Sequence, residues 1–271
     1  MTNPDDSKST VAAQYDSAGT QWHGIRGSAH ALLEKPAMVQ LLPDLQEKRV
    51  LCIGCGFGDE CAYLVSLGAA AVVGIDLSKE NVRCAKDTYP TLEFHVMDME
   101  RLSFEPASFD VIYSSLTIHY VADWRQTLSE MRRVLAPGGA IVLSTHHPAA
   151  WSALKDEDDT VKRQLLGFEL NKTTGELSLF GNYLHERPVT SKFAGTFEAS
   201  FYHKTFSGML RDFRDAGLSV VECVEPAPVR EAKTLDPHFW EVRSRFPLFI
   251  LFKLVTSSDT TIPTSETMLR R

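Results

Sequence analysis

The fold of this chain is decided by the stretch Val50-Leu51-Cys52-Ile53-Gly54-Cys55-Gly56-Phe57-Gly58-Asp59-Glu60. Its first four residues are apolar and predict a short buried strand. The glycine-rich turn that follows lets the backbone approach a ligand closely, and Asp59 and Glu60 then begin a helix. A strand, a glycine-rich turn and a helix N-terminus in this order are typical of a nucleotide-cofactor site.

The spacing of the glycines indicates which kind of cofactor binds there. A dinucleotide fingerprint has glycines at positions one, three and six, and the pyrophosphate rests on the helix N-terminus. Counted from Gly54, position six is Asp59, and Glu60 follows it. Two carboxylates are unfavourable beside a pyrophosphate, so an NAD-dependent oxidoreductase is the less favoured alternative. They suit a cofactor that carries a positive charge and no phosphate.

The stretch resembles the first motif of class I S-adenosylmethionine-dependent methyltransferases, in which an acidic residue, one further residue and Gly-x-Gly-x-Gly end the first strand. The resemblance implies S-adenosylmethionine as the cofactor, bound by Gly54, Cys55 and Gly56. The family's acidic residue, which helps to hold the cofactor's ammonium group, is Cys52 here. That departure leaves the contact to other residues. It also keeps open a second alternative, a non-catalytic S-adenosylmethionine-binding partner subunit.

Later segments continue the resemblance in the same order along the chain. Asp76 ends the second predicted strand, followed by Leu77, and a carboxylate at this position can accept both ribose hydroxyls. Asp98 and Met99 follow the third strand. In the family, an acidic residue there accepts the adenine amino hydrogen beside an apolar residue that packs on the ring. Ser114 ends the fourth strand, at the sheet edge where open α/β sheets bind ligands.

Two further segments extend the match to about Tyr15–Thr145. The block Met131–Gly139 resembles a recurrent block of the family. The segment Gln14–Trp22 resembles the Tyr-Asp-x-x-Ala segment of the ubiquinone/menaquinone-biosynthesis-type (methyltransferase type 11) group, although Ala18 comes one residue early. In such enzymes the segment covers the cofactor, and the resemblance places Tyr15 near its methionine moiety.

The predicted fold is α/β: a Rossmann-like, seven-stranded, mostly parallel sheet with helices on both faces. The resemblance implies an antiparallel seventh strand between the fifth and the sixth. An insertion after the fifth strand is predicted to form a β-hairpin from Leu177–His185 and Lys192–His203, turning at Arg187–Thr190. The predicted regions are a helical lid (1–43), the S-adenosylmethionine-binding core (44–147), a substrate-side insertion (148–204), the rest of the core (205–255) and a flexible tail (256–271).

The sequence also suggests where a methyl acceptor binds and which groups act on it. A base is required only if the acceptor carries a proton, and histidine is the usual base near neutral pH. His119 and His146 each follow the C-terminal end of a strand and are the predicted catalytic residues, with a purely structural role as the alternative. Tyr183 and His203, in the aromatic-rich insertion, are predicted to affect acceptor binding or turnover.

Composition narrows the class of partner. The chain has 271 residues, a net charge of −7 and a pI near 5.7, which disfavours nucleic acid and favours a small-molecule acceptor. The polar, acidic start and the lack of a long apolar run predict a cytoplasmic protein with no membrane partner. Five cysteines suggest reduced thiols, and no metal is expected, because no second ligand pair follows Cys52 and Cys55 at zinc spacing.

Overall fold

A seven-stranded sheet forms the centre of the structure, a computed structural model that describes residues 11–16, 27–152, 154–155, 164–193 and 197–257. Its strands, in chain order, are β1 (Arg49–Ile53), β2 (Ala71–Asp76), β3 (Glu93–Val96), β4 (Phe109–Ser114), β5 (Leu135–His146), β6 (Leu218–Val224) and β7 (Phe249–Thr256). Their spatial order is β6-β7-β5-β4-β1-β2-β3. Strand β7 runs antiparallel to both of its neighbours, and the other pairs are parallel. The predicted fold class is confirmed.

Helices cover both faces of this sheet. In chain order they are α1 (residues 11–16), α2 (Gly27–Ala29, His30–Glu34 and Lys35–Leu41), α3 (Asp59–Ser66), α4 (Lys79–Thr88), α5 (Trp124–Val134), α6 (Pro148–Trp151), α7 (Phe206–Asp215), α8 (Ala232–Leu235) and α9 (Pro237–Arg243). On one face, Trp124 and Met131 of α5 pack with Phe213 of α7. On the other, Met38 of α2 packs with Leu64 of α3. Strand β1 lies between two apolar layers, which explains its continuous apolar run.

Helix α2 contains a π-helical segment, His30–Glu34, and Pro36 accounts for the change in hydrogen bonding. Proline has no N–H, so it cannot donate to the carbonyl of Leu32 four residues earlier. That carbonyl accepts instead from the N–H of Val229, at 2.8 Å, in the loop between β6 and α8. The irregular helix is thereby attached to the segment that precedes β7.

The insertion differs in detail from the predicted hairpin. It forms three two-stranded antiparallel sheets, which pair Leu154–Lys155 with Gln164–Leu165, Gly167–Leu170 with Leu177–Phe180, and Arg187–Phe193 with Phe197–His203. Residues Arg187–Thr190, predicted as the turn, are part of a strand in which Pro188 lies opposite Tyr202. The proline was misread as a turn signal, although a strand that pairs on only one side tolerates it.

Two parts of the predicted organisation lie outside the described residues. They are residues 1–10 and 17–26 of the lid region and the tail from residue 258 onward. Within the described part, every helix is too short or too polar to cross a membrane.

Candidate active site

A cavity of about 370 Å³ opens at the C-terminal ends of the parallel strands. Its wall combines the glycine turn after β1, the residues that follow β2, β3 and β4, the end of β5, and side chains from α1, α2, α6 and α9. Ligand sites of open α/β sheets form at this edge, because neighbouring crossover helices diverge there. The cavity is therefore the candidate active site.

The glycine turn forms one end of this cavity. The N–H groups of Gly54 and Cys55 both donate to the carbonyl of Ile75 at the end of β2, at 2.8 and 2.9 Å. Gly54 and Gly56 have φ angles of +71° and +52°, a region that favours glycine. A Cβ at Gly56 would meet nothing within 4 Å, so its missing side chain leaves backbone open to a ligand.

Asp76 is fixed against this turn. Its Oδ2 accepts a hydrogen bond from the N–H of Gly56 at 2.9 Å, and its Oδ1 accepts from the N–H of Ser78 at 2.9 Å. The cap of helix α4 is Ser78, whose Oγ accepts from the N–H of Asn81 at 3.0 Å. Because Ser78 performs the capping, the Asp76 carboxylate is available to hold the turn and to form part of the cavity wall.

The wall continues with the side chains predicted for the adenine end. Leu77, Asp98 and Met99 all line the cavity, and Asp98 Oδ1 accepts from the N–H of Glu100 at 2.9 Å. Carboxylates on this part of the wall could accept hydrogen bonds from a ribose or a purine, and the apolar side chains could pack against a purine ring.

Cys55 and Ser114 are not placed on the wall as predicted. The Cys55 side chain is buried beside Cys61, and only its main chain belongs to the turn. Ser114 is fully buried within β4. Its neighbour Ser115 lines the cavity instead, because successive side chains of a strand point to opposite faces.

Helix α1 forms part of the cavity wall. Val11, Ala12 and Tyr15 line it, and the Tyr15 hydroxyl is hydrogen-bonded to the Tyr120 hydroxyl. Asp16 accepts from the Ser78 hydroxyl and from the N–H of Glu80. Tyr15 therefore lies on the cavity wall and is bonded to a residue that follows β4, while its contact with a cofactor stays a prediction.

An aromatic wall forms the end of the cavity opposite the turn. His119 lies in the 3₁₀ helix Ile118–Tyr120, and its ring stacks on that of His146 with 3.8 Å between centroids. Trp151 stacks on the other side of His146 at 4.7 Å. Tyr120 packs on His119 at 4.5 Å, which continues the aromatic surface to Tyr15. Both predicted histidines thus lie together on the cavity wall.

Burial governs the charge state of these two histidines. It lowers the pKa of His119 to about 3, and burial together with the nearby His119 lowers the pKa of His146 well below its usual value. Both rings are therefore neutral at physiological pH. A neutral imidazole can accept or donate a hydrogen bond, but protonating either ring inside the fold is costly.

This depressed pKa predicts a pH dependence of stability. The folded-state pKa of His119 lies below the unfolded value of 6.5, so its contribution is complete above pH 6.5 and is lost as the pH falls toward 3. We expect His119→Asn to remove about 2 kcal/mol of the decrease in unfolding free energy between pH 7 and pH 5. Urea unfolding at both pH values measures it. An unchanged difference in His119→Asn would contradict the assignment.

The insertion contributes to the site from behind the wall. Phe201 is 1% exposed and packs edge-on against His119, His146 and Trp151, at centroid distances of 5.8, 4.5 and 4.8 Å. It holds the stacked rings in place without lining the cavity.

The structure does not bring Tyr183 and His203 to the cavity. His203 Nε2 lies 2.8 Å from the carbonyl oxygen of Tyr183, and the Tyr183 hydroxyl accepts from the N–H of Phe206 at 3.2 Å. The pair connects the loop before the strand Arg187–Phe193 to the start of α7. His203 ends the strand Phe197–His203 opposite Arg187, and Tyr183 lies in the loop before the strand Arg187–Phe193, so neither side chain reaches the cavity.

A buried polar cluster beside the glycine turn was not identified from the sequence. His30 lines the cavity, and its Nε2 lies 3.5 Å from Glu34 Oε2 and 3.2 Å from Glu60 Oε1. Burial raises the pKa of Glu34, whose Oε1 accepts from the hydroxyls of Ser115 and Ser144. Cys52 is buried in the apolar core on this side, where Glu34 and Glu60 are also buried. The spacing of His30 and Glu34, about one helical turn, is the sequence pattern that could have predicted this cluster.

Arg243 was also missed. It ends helix α9 and lines the cavity, about 190 residues after the glycine turn. No local pattern distinguishes it from the other surface arginines of the sequence.

The cavity fits S-adenosylmethionine. Open backbone at Gly56, the fixed carboxylate of Asp76 and the apolar side chains of Leu77 and Met99 match an adenosine. The carboxylate of Asp59 on the same wall suits a cofactor with a net positive charge. A pyrophosphate would meet the same carboxylate unfavourably.

Comparison with known proteins agrees with this geometry. Residues 51–143 match the family model for a methyltransferase domain. A solved structure of an S-adenosylmethionine-dependent methyltransferase from Mesorhizobium loti superposes with a TM-score of 0.68 at 27% identity, covering 85% of this chain and 99% of the other.

Two curated relatives match about half of the chain. A phthiotriol/phenolphthiotriol dimycocerosates methyltransferase of Mycobacterium tuberculosis is 36% identical over 47% of this chain and 49% of its own length. A malonyl-[acyl-carrier protein] O-methyltransferase of Pseudescherichia vulneris is 33% identical over 51% of this chain and 54% of its own. The match thus spans about half of each relative. Fold, cavity and comparisons together indicate that the chain is an S-adenosylmethionine-dependent methyltransferase.

Proposed function

We propose that the chain transfers the methyl group of S-adenosylmethionine to a small organic molecule, at an oxygen, nitrogen or carbon atom, bound against His119, His146 and Trp151. The observation that carries this proposal is a single cavity that joins the glycine turn to a stacked aromatic wall. A planar or apolar acceptor would pack on that wall, opposite the cofactor's adenosine.

The residues of the chain contribute alignment and exclusion of water. When bound, S-adenosylmethionine supplies an electrophilic methyl group on a positively charged sulfur. The glycine turn and Asp76 orient one reactant, and the aromatic wall with the lid residue Tyr15 confines the other. Holding two reactants in line accounts for much of the rate enhancement in such displacements.

His119 and His146 are assigned to contact the acceptor. Because burial keeps both rings neutral, they would position an acceptor by hydrogen bonding and stacking rather than retain its proton. This role favours acceptors that need no strong base, such as an oxyanion. In the alternative, a purely structural role, the two histidines would not contact the acceptor.

The relatives and the charge support a small molecule over nucleic acid. The names of the two curated relatives specify a lipid and an acyl-carrier-protein-bound malonyl group as what those proteins methylate. The net charge of −7 gives this chain no general attraction for a polyanion.

Product analysis tests the proposal. We expect the protein, incubated with S-adenosylmethionine and a metabolite extract, to form S-adenosylhomocysteine and a product heavier by one CH2 group. His119→Ala and His146→Ala should each lower turnover by roughly tenfold or more, because the acceptor loses its contact. Affinity for S-adenosylhomocysteine, measured by calorimetry, should change little.

His147→Ala is the matched control. His147 adjoins His146 in sequence, but its Nε2 faces Glu225 at 2.7 Å and its ring does not line the cavity. It should leave turnover near the wild-type value. Tight binding of S-adenosylhomocysteine without any methylated product would favour the non-catalytic alternative. Equal losses of turnover in His119→Ala, His146→Ala and His147→Ala would show that the aromatic wall has no specific role in turnover.

A further inference from the structure

Arg243 is a cationic side chain on the cavity wall, and no anion among the described residues pairs with it. It is half-buried at the C-terminal end of α9 and lines the cavity. Within the described parts of the chain, no hydrogen bond or ion pair involves its guanidinium. Arg245, two residues later, is exposed and lies 3.9 Å from Glu241. Of these two arginines, Arg243 lines the cavity and has no anionic partner among the described residues.

The strand order places Arg243 at the acceptor end of the cavity. Helix α9 leads directly into β7, which pairs with β5 so that Phe249 lies opposite His146. The carboxylates that line the cofactor end, Asp76 and Asp98, follow β2 and β3 at the other side of the sheet. Strands β1 and β4 lie between the two groups. Opposite charges are therefore separated along the cavity.

The segment that carries Arg243 is held in place before any ligand binds. Asp236, the N-cap of α9, accepts from the N–H of Phe239 at 3.1 Å and from the hydroxyl of Ser28 at 2.7 Å. The carbonyl of Leu32 accepts from Val229 in the preceding loop. Both contacts join this segment to helix α2. An arginine on a fixed support loses less conformational freedom on binding an anion.

Leaving this guanidinium unpaired is unfavourable. Burial lowers the pKa of Arg243, which reflects the cost of removing the charge from water. Arginine stays protonated in proteins, so the cost remains until an anion enters. A bound anion would recover it through charge-assisted hydrogen bonds.

We propose that Arg243 binds a carboxylate of the methyl acceptor, so that the substrate class is a carboxylic acid with an apolar or aromatic body. This inference rests on the proposed function. The planar guanidinium matches a carboxylate through two parallel hydrogen bonds. The apolar body would lie against Trp151, Leu248 and Phe249, which line the same end of the cavity. A phosphate dianion fits less well, since among the described residues on the wall Arg243 is the only lysine or arginine.

Binding of matched acids and amides tests this assignment. The probes are octanoate and benzoate, with octanamide and benzamide as neutral counterparts, titrated by calorimetry into the protein saturated with S-adenosylhomocysteine. We expect the wild-type protein to bind each acid roughly tenfold or more tightly than its amide. Arg243→Gln should abolish that preference, and Arg243→Lys should retain part of it. Arg245→Gln, the matched control, should keep it in full.

Separate readouts distinguish the possible failures. Equal affinity of wild-type protein for acids and amides would overturn the inference. So would a loss of S-adenosylhomocysteine affinity in Arg243→Gln as large as the loss for the acids, because the anion would then be the cofactor's own carboxylate. A preserved acid preference without any methyl transfer would contradict the proposed function and leave only the carboxylate-binding role of Arg243 standing. Melting temperatures of the variants establish that each one folds.

Discussion

Replacing Asp76 with alanine should weaken the binding of S-adenosylhomocysteine by about a hundredfold. In the proposed complex the carboxylate accepts both ribose hydroxyls, and in the structure it also holds the N–H of Gly56 at 2.9 Å. The variant leaves the hydroxyls and this N–H without their acceptor, a loss of about 3 kcal/mol. Asp76→Asn should cost less, because one acceptor oxygen remains. Isothermal titration calorimetry measures both variants.

Asp110 provides the matched control for this experiment. It is an aspartate at the start of β4, at the opposite end of the sheet, where its Oδ2 accepts from the N–H of Arg49 at 2.8 Å. Asp110→Ala should lower the melting temperature slightly and leave the affinity unchanged. If Asp76→Ala binds as tightly as the wild-type protein, the carboxylate only supports the backbone and the ribose lies elsewhere.

Replacing Gly54 with alanine should destabilise the fold by about 3 kcal/mol. The φ angle of Gly54 is +71°, which costs an alanine roughly 1 kcal/mol. A Cβ there would also lie 2.2 Å from Thr117 Oγ1 and 2.6 Å from its Cγ2, so the loop after β4 must move. Thermal unfolding should show a decrease of roughly 5–10 °C.

Two further variants test whether contact with Thr117 causes the loss of stability in Gly54→Ala. Thr117→Ala removes the two closest atoms, so the double variant with Gly54→Ala should recover part of the lost stability. At Gly56 a new Cβ meets no protein atom within 4 Å and projects into the cavity. Gly56→Ala should therefore lower cofactor affinity more than stability. Equal melting temperatures for Gly54→Ala and Gly56→Ala would show that contact with Thr117 does not limit the turn.

The sequence by itself determined the fold class and the cofactor end of the site. The turn from Gly54 to Gly58, the carboxylate Asp76 and the pair Asp98–Met99 each follow a strand of the parallel sheet. Their positions along the chain therefore fix their positions at one edge of it. Alternation of apolar residues and glycine spacing are local signals, and local signals suffice where each strand contributes the residues directly after it.

Only the tertiary structure decided the acceptor end. Arg243 reaches the cavity because β7 inserts beside β5, and Trp151 reaches it because α6 turns back after His146. Tyr183 and His203 belong to the region expected to bind the acceptor, yet they bond to each other and to the start of α7 and do not line the cavity. These outcomes depend on contacts between residues that are distant in sequence. No periodicity or motif spacing records such contacts, so the presence of Arg243 on the cavity wall was visible only in the folded chain.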